Sequence, residues 1–132
     1  MGDTTGAATV SIGTHSRLKA LASEQNLIRQ FYRDVLGCTI TKSSERADYF
    51  CMGNGFFIAV LYVTEVLSKE QARDSIWLEL RTGDVESVRR RILQFGVDEL
   101  DSPDKDHLYF QAPGGQVFRL VGSTEDLSRF ER

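Results

Sequence analysis

The sequence contains little proline, little cysteine and no excess of positive charge. Only 2 of its 132 residues are proline and 11 are glycine, which excludes a flexible linker or a collagen-like repeat. Lys and Arg number 16 against 19 Asp and Glu, giving a net charge of −3. Nucleic-acid-binding domains usually carry a basic excess, so we expect no nucleic-acid partner.

The cysteines and the hydrophobic runs exclude several further classes. Cys38 and Cys51 match no metal-binding or redox spacing, so we expect two reduced thiols. No apolar run approaches the ~18 residues of a membrane span, and residues 1–9 lack the features of a signal peptide. The sequence therefore predicts a cytoplasmic protein with no membrane partner and with a flexible N-terminal tail over 1–9.

The composition is that of a folded domain, and the chain repeats itself. Apolar residues make up 41% and charged residues 27%, which is ordinary for a soluble globular protein. Tyr49-Phe50 recurs as Tyr109-Phe110, and Gly55 recurs as Gly115, each pair being separated by 60 positions. At the same shift Leu18 falls on Leu78. The repeat predicts two modules of the same structure.

Both modules are predicted to run strand, helix, strand, strand, strand. Alternation and helical periodicity place the first set at 10–20, 23–36, 38–42, 49–52 and 56–63. The second set lies at 76–81, 85–95, 97–100, 107–111 and 116–121, with Asp84 as the helix N-cap and Gly96 as its C-cap. The fold class is therefore α+β, with modules 10–66 and 75–122, a linker 67–74 and a tail 123–132 in one structural domain.

A sheet that carries one helix leaves its other face uncovered. If the uncovered faces of two modules curve toward each other, they form a cleft in which a ligand is expected to bind. The sequence leaves open whether the modules close within one chain or exchange between two chains.

Two segments resemble a known family. Residues 31–37, FYRDVLG, resemble the helix-end signature of the vicinal oxygen chelate superfamily, which includes glyoxalase I, the bleomycin-binding resistance proteins and the extradiol dioxygenases. Residues 112–120, APGGQVFRL, resemble the closing turn and strand of that family, and the resemblance spans about 10–122. It implies mixed sheets built from paired βαβββ modules and, often, a homodimer.

The resemblance also implies a divalent metal bound by the first and last strands of each module. The family's spacing puts the ligand positions at Arg17, Ala59, Trp77 and Arg119. None of these side chains is an imidazole or a carboxylate, and a guanidinium repels a divalent cation. The usual metal-ligand positions are therefore predicted to be lost, and no cofactor is expected.

An irregular site remains an alternative. His15, Glu79 and His107 could supply three ligands for a divalent metal, with Glu79 also a candidate catalytic residue. The protein would then be a glyoxalase-like lyase or isomerase, or a dioxygenase. The simpler interpretation is that His15 is exposed at a strand edge and His107 is solvated. A second alternative is a non-catalytic accessory or interaction module.

Without a metal, the predicted lining of the cleft indicates a small-molecule binder. Alternation places five side chains on the uncovered faces: Arg17, Trp77, Glu79, Tyr109 and Arg119. The aromatic rings suit a flat apolar group, and the guanidiniums suit a carboxylate or phosphate. The sequence thus predicts binding of an aromatic or anionic organic molecule, as in antibiotic resistance by sequestration, although these arginines could equally be surface charges and Trp77 a packing residue.

The segment 56–63 has almost no polar alternation. It is more apolar than an edge strand facing water should be, so we expect it at a module or subunit interface. Together with the habit of the family, this predicts a homodimer.

Overall fold

Two four-stranded sheets form the framework of the described chain, which comprises residues 8–128 of a computed structural model. The strands are β1 (His15–Leu21), β2 (Thr39–Ser43), β3 (Ala47–Cys51), β4 (Phe57–Val63), β5 (Trp77–Thr82), β6 (Asp98–Leu100), β7 (Leu108–Gln111) and β8 (Val117–Gly122). The helices are α1 (Gln25–Gln30), α2 (Lys69–Arg73) and α3 (Val85–Phe95); a 3₁₀ turn, Ala22–Glu24, precedes α1 and a π turn, Phe31–Val35, follows it. None of the described helices has the length and apolarity needed to cross a membrane. Residues 1–7 and 129–132 of the predicted tails lie outside this range.

The two sheets share one topology. The first has the strand order β1-β4-β3-β2 and the second β5-β8-β7-β6. In each sheet the first and last strands of the module pair in parallel and the other pairs are antiparallel. The α+β fold with two βαβββ modules is therefore confirmed.

The register shows which positions in the two modules correspond. Arg17 pairs with Ala59 in the first sheet, and Glu79 pairs with Arg119 in the second. The closing strands are thus offset by 60 positions and the opening strands by 62. The prediction that Trp77 corresponds to Arg17 is wrong, because Trp77 pairs with the residue two positions before Arg119.

The first helix and its π turn lie between the two sheets. Tyr32 stacks on Phe50 of β3, with ring centroids 4.8 Å apart, and meets Phe118 of β8 edge-on at 6.2 Å. Phe31 contacts Phe110 of β7 at 5.8 Å. These five rings are fully buried in one continuous core. Because the inner faces of both sheets meet this core, their outer faces point away from each other.

The strand predicted over 10–20 is shorter in the structure. β1 begins at His15, and Val10 and Ile12 are 96% and 91% exposed. The reason is that β4, the strand beside β1, itself begins at Phe57, whose amide donates to the carbonyl of Thr14. Over residues 8–14 the described chain has no neighbouring strand in that ladder.

The apolar segment around β4 is an interior strand. β4 lies between β1 and β3 in the middle of the first sheet, whereas the sequence placed this segment at a module or subunit interface. Ile58, Val60 and Tyr62 face the core, whereas Phe57 and Leu61 are half-buried on the outer face. Packing within one chain therefore largely explains why this segment is so apolar. Its composition alone is no longer evidence for a homodimer.

Caps set the ends of α3 and the start of α2. The Asp84 side chain accepts a hydrogen bond from the Ser87 amide at 3.1 Å, and Gly96 ends α3 with φ +95°, as predicted. In the predicted linker the chain forms the short helix α2, because Ser68 and Gln71 make a reciprocal capping box.

A buried carboxylate holds α1 to the first sheet. Asp48 is 0% exposed and accepts hydrogen bonds from Arg29 Nε at 2.9 Å, Tyr62 OH at 2.6 Å, Gln25 Nε2 at 3.3 Å and Ser43 Oγ. Burial alone would raise the pKa of Asp48, but these four donors outweigh it and leave the pKa lowered. Asp48 is therefore a carboxylate fixed by its surroundings.

Candidate functional site

The outer face of the second sheet brings four predicted site residues together. Arg119, only 8% exposed, forms a hydrogen-bonded ion pair with Glu79, its neighbour on β5. The Trp77 ring covers the Arg119 guanidinium, with 4.5 Å between its centroid and Cζ, and the Tyr109 hydroxyl accepts from Arg119 Nη1 at 3.4 Å. Trp77 and Tyr109 meet edge-on at 5.8 Å. The residues thus form one aromatic and charged cluster.

The charge of Arg119 is compensated within this cluster. Besides Glu79, the carboxylate of Asp104 lies 3.6 Å from Arg119 Nη1 and accepts from the Tyr109 hydroxyl at 3.0 Å. Burial disfavours the charged guanidinium, but the hydrogen bonds to Glu79 and Tyr109 more than offset it and raise the pKa of Arg119. Arg119 is a fixed cation that organises this face. No sequence motif points to Asp104, whose role depends on the loop before β7.

The C-terminal segment borders the same face. Glu125, Asp126, Leu127 and Ser128 enclose an open space of about 520 Å³ together with four sheet residues: Trp77, Glu79, Arg81 and Arg119. Glu125 anchors the segment, because its carboxylate accepts from the Gly122 amide and contacts His107 Nε2 at 2.8 Å. The outer face therefore retains a space large enough for a small organic molecule.

His107 is buried between two carboxylates and is not the solvated residue that the sequence indicated. Its side chain is 3% exposed, with Nδ1 2.8 Å from Asp104 and Nε2 2.8 Å from Glu125. Burial lowers the pKa of His107, but the hydrogen bonds to Glu125 and Asp104 outweigh it, so the pKa is raised. The imidazolium form, which donates from both nitrogens, fits this position.

A pH-dependent contribution to stability follows from His107. Since its folded-state pKa is raised, its stabilising effect should be complete below the unfolded value of about 6.5 and be lost as pH rises through the folded value. We expect the thermal stability of the wild type to fall more between pH 6 and 9 than that of a His107→Gln variant. Melting curves across that range test this, and parallel pH profiles for the two proteins would contradict it.

The other predicted residues lie on the first sheet. Arg17 is exposed on β1 beside Lys19, and neither has a carboxylate partner within residues 8–128. His15 is also exposed there, stacked on Phe57 at 4.7 Å. The remaining outer-face residues of the first sheet are mostly apolar: Ala47, Tyr49, Cys51, Ala59 and Leu61.

The irregular metal site is not assembled within one chain. His15 lies on the outer face of the first sheet, whereas Glu79 and His107 belong to the second. Across the described residues no group of three or more His, Cys, Asp or Glu side chains is placed to hold a metal ion.

The side chains at the positions where the family holds its metal are poor metal ligands. Using the observed register, they are Arg17, Ala59, Glu79 and Arg119. Only Glu79 offers a donor oxygen, and it is already paired with Arg119. Two guanidiniums and one methyl group cannot complete a coordination shell, so these residues do not fit a divalent metal.

The decisive observation on ancestry is a family match over most of the chain. The Glyoxalase-like domain family matches residues 22–121. The chain belongs to this family. It is thereby a member of the vicinal oxygen chelate superfamily, and the resemblance seen in FYRDVLG is confirmed.

Solved structures of glyoxalase-like proteins have the same fold. A possible glyoxalase from Bacillus cereus aligns with a TM-score of 0.65 and 16% identity, covering 84% of this chain and 99% of that one. The fosfomycin resistance protein FosX from Mesorhizobium loti aligns with a TM-score of 0.69 and 13% identity, and the alignment covers 94% of this chain and 100% of FosX. A variant of FosX from Listeria monocytogenes was solved in complex with Mn(II) and 1S,2S-dihydroxypropylphosphonic acid. It aligns with a TM-score of 0.68 and 19% identity over 92% of this chain and 99% of that one. No curated protein matches the chain in sequence.

Proposed function

We propose that the protein is a metal-independent binder of small organic anions, and that its site forms between two copies of the chain. The outer faces of the two sheets point away from each other, and this observation carries the proposal. A cleft between them exists only if the first sheet of one copy faces the second sheet of another.

The charges of the two faces favour such a homodimer. Among the residues that the structure describes, the outer face of the first sheet carries Arg17, Lys19 and Lys42 and no carboxylate. The second face carries four carboxylates, Glu79, Asp104, Glu125 and Asp126, which outnumber its cations Arg81, Arg119 and His107 by one. Opposite potentials of this kind steer association and fix orientation. The apolar centre of the first face supplies area for burial.

The ligand is then held by residues from both copies. Trp77, which is 45% exposed, offers a flat surface for an aromatic or conjugated group. Arg119 is already paired with Glu79, so the anionic group is assigned chiefly to Arg17 of the facing copy, which has no carboxylate partner in the described range. The open space beside Trp77 favours a binding protein over an accessory module with a filled cleft.

The metal-dependent enzyme is the alternative that the relatives suggest. FosX was crystallised with Mn(II) and a phosphonate, so phosphonates are the first ligands to test here. At the corresponding positions this chain presents Arg17, Ala59 and an already paired Glu79, and these residues support binding without a metal ion.

A fluorescence titration distinguishes the two possibilities. Trp77 is the only tryptophan, so its emission reports on the site directly. Fosfomycin, 1S,2S-dihydroxypropylphosphonic acid, benzoate and 2-naphthoate would be titrated with EDTA or with Mn(II). We expect at least one to bind equally in both, and Arg17→Ala to weaken it about tenfold because a charge-assisted hydrogen bond is lost. Binding only in the presence of Mn(II) would refute the proposal.

Mixed variants test whether the site is shared between copies. Arg17→Ala removes the anion-binding group and Trp77→Phe removes the fluorescent reporter, whereas a mixed dimer contains one site that has both. We expect mixing to restore part of the fluorescence response and sedimentation to show a dimer. Arg33→Ala, an exposed arginine paired with Asp34, is the matched control and should bind as the wild type does. A monomer in solution would contradict the shared site.

A further inference from the structure

A second open cavity lies on the inner side of the second sheet, where the two modules meet. Its volume is about 670 Å³, well within the range of about 300–1,000 Å³ typical of small-molecule sites. We call it the seam groove. Its partly exposed apolar walls are formed by Leu36, Met52 and Phe56 of the first module and by Leu78 and Val88 of the second, over a buried floor of Ile58, Leu80, Phe118 and Leu120.

The seam groove is apolar because inner-face side chains form its walls. In the rest of the core the first helix fills the space between the sheets, with Phe31 and Tyr32 touching both. At the seam the space is lined instead by the turn between β3 and β4 on one side and by β5 and α3 on the other. An apolar occupant would remove this surface from water and so stabilise the fold.

Two arginines with no counter-charge border the groove. Arg81 of β5 and Arg91 of α3 are exposed, and neither forms an ion pair within residues 8–128. The one carboxylate on the lining, Glu79, is bonded to Arg119 on the other face of the sheet. The groove therefore combines an apolar interior with positive charge at its edge.

We infer that the seam groove binds an amphipathic organic anion, a medium-chain carboxylate, with its hydrocarbon chain among the apolar walls and its head group at Arg91. This site is separate from the proposed ligand face. Glu79 and Arg81 border both spaces, but Arg91 borders only the groove. Recognition rests on charge complementarity at the edge and on apolar burial inside.

Calorimetric titration with octanoate, decanoate and dodecanoate, all below their micellar concentrations, tests the inference on the full-length protein. We expect binding to strengthen by about fourfold for each added methylene until the groove is full. Dodecanoate should also raise the melting temperature. Dodecyltrimethylammonium, with the same chain and the opposite charge, should bind much more weakly.

Substitutions on α3 locate the head group. Arg91→Glu should weaken dodecanoate binding about tenfold, because it replaces an attraction with a repulsion. Arg90→Glu makes the same charge change at the adjacent exposed position, which does not line the groove, and should leave the affinity unchanged. Both positions are on the surface, so both variants should fold.

Three outcomes would overturn the inference. They are the absence of dodecanoate binding, equal binding of the anionic and cationic amphiphiles, and equal effects of the two substitutions on α3. Fosfomycin and benzoate at the outer face provide an independent comparison, since Arg91→Glu should leave their Trp77 titrations unchanged.

Discussion

Replacing Phe31 with alanine is expected to lower the free energy of unfolding by about 3–5 kcal/mol. Phe31 is fully buried, and its ring contacts Phe95 of α3 at 5.3 Å and Phe110 of β7 at 5.8 Å. It is a first-module residue whose partners belong to the second module. The substitution therefore removes core volume and loosens the contact between modules. Urea unfolding followed by circular dichroism measures the loss.

Leu27→Ala is the matched control for this prediction. Leu27 lies on the same helix but is 51% exposed, so its truncation should change stability by no more than about 0.5 kcal/mol. If Phe31→Ala cost as little as Leu27→Ala, the helix would not be the element that joins the two sheets.

The second large effect is expected at Asp48. Asp48→Ala leaves the Tyr62 hydroxyl without its buried acceptor and Arg29 without its carboxylate. Removing one partner from a buried ion pair typically costs about 3–5 kcal/mol; the Arg29 side chain is 31% exposed and can reach water, so we expect about 3 kcal/mol. Thermal and urea unfolding at pH 7 provide the measurement.

Lowering the pH should reduce the difference in stability between the wild type and Asp48→Ala. The folded-state pKa of Asp48 is lowered, so its contribution is present above the unfolded value and is lost as pH falls through the folded value. The gap between wild type and Asp48→Ala should therefore narrow below a pH of about 4. Asp34→Ala removes an exposed carboxylate paired only with Arg33 and should have little effect at any pH. An equal loss in both variants would contradict a special role for the buried carboxylate.

Much of the fold could be predicted from the sequence because its signals are local. The helical periodicity of 85–95, with Asp84 before it and Gly96 after it, predicts both ends of α3 correctly. The π turn at Phe31–Val35 could not be predicted, since it arises where two large rings must reach both sheets. The start of β1 was misplaced because alternation at Val10 and Ile12 does not reveal where the neighbouring strand begins.

The site was only partly predictable. Alternation placed Trp77, Glu79, Tyr109 and Arg119 on one face, and the structure brings them together. It could not show that Arg17 lies on the opposite side of the molecule, because that depends on how the helices pack between the sheets.

The partners of His107 were also beyond sequence reasoning. Asp104 precedes β7 in a loop and Glu125 belongs to the C-terminal segment, so their meeting depends on tertiary structure. The sequence showed acidic residues in both segments, but no spacing that linked them to an imidazole.

The unequal offsets of the two modules matter to anyone who redesigns this scaffold. An alignment of the two modules by sequence matches position 17 with position 77. The observed strand pairing matches position 17 with position 79. Two residues along a strand amount to about 7 Å, more than twice the length of any coordination bond. A histidine grafted at Trp77 would therefore lie beside Val117, whereas one grafted at Glu79 would lie beside Arg119, the counterpart of Ala59.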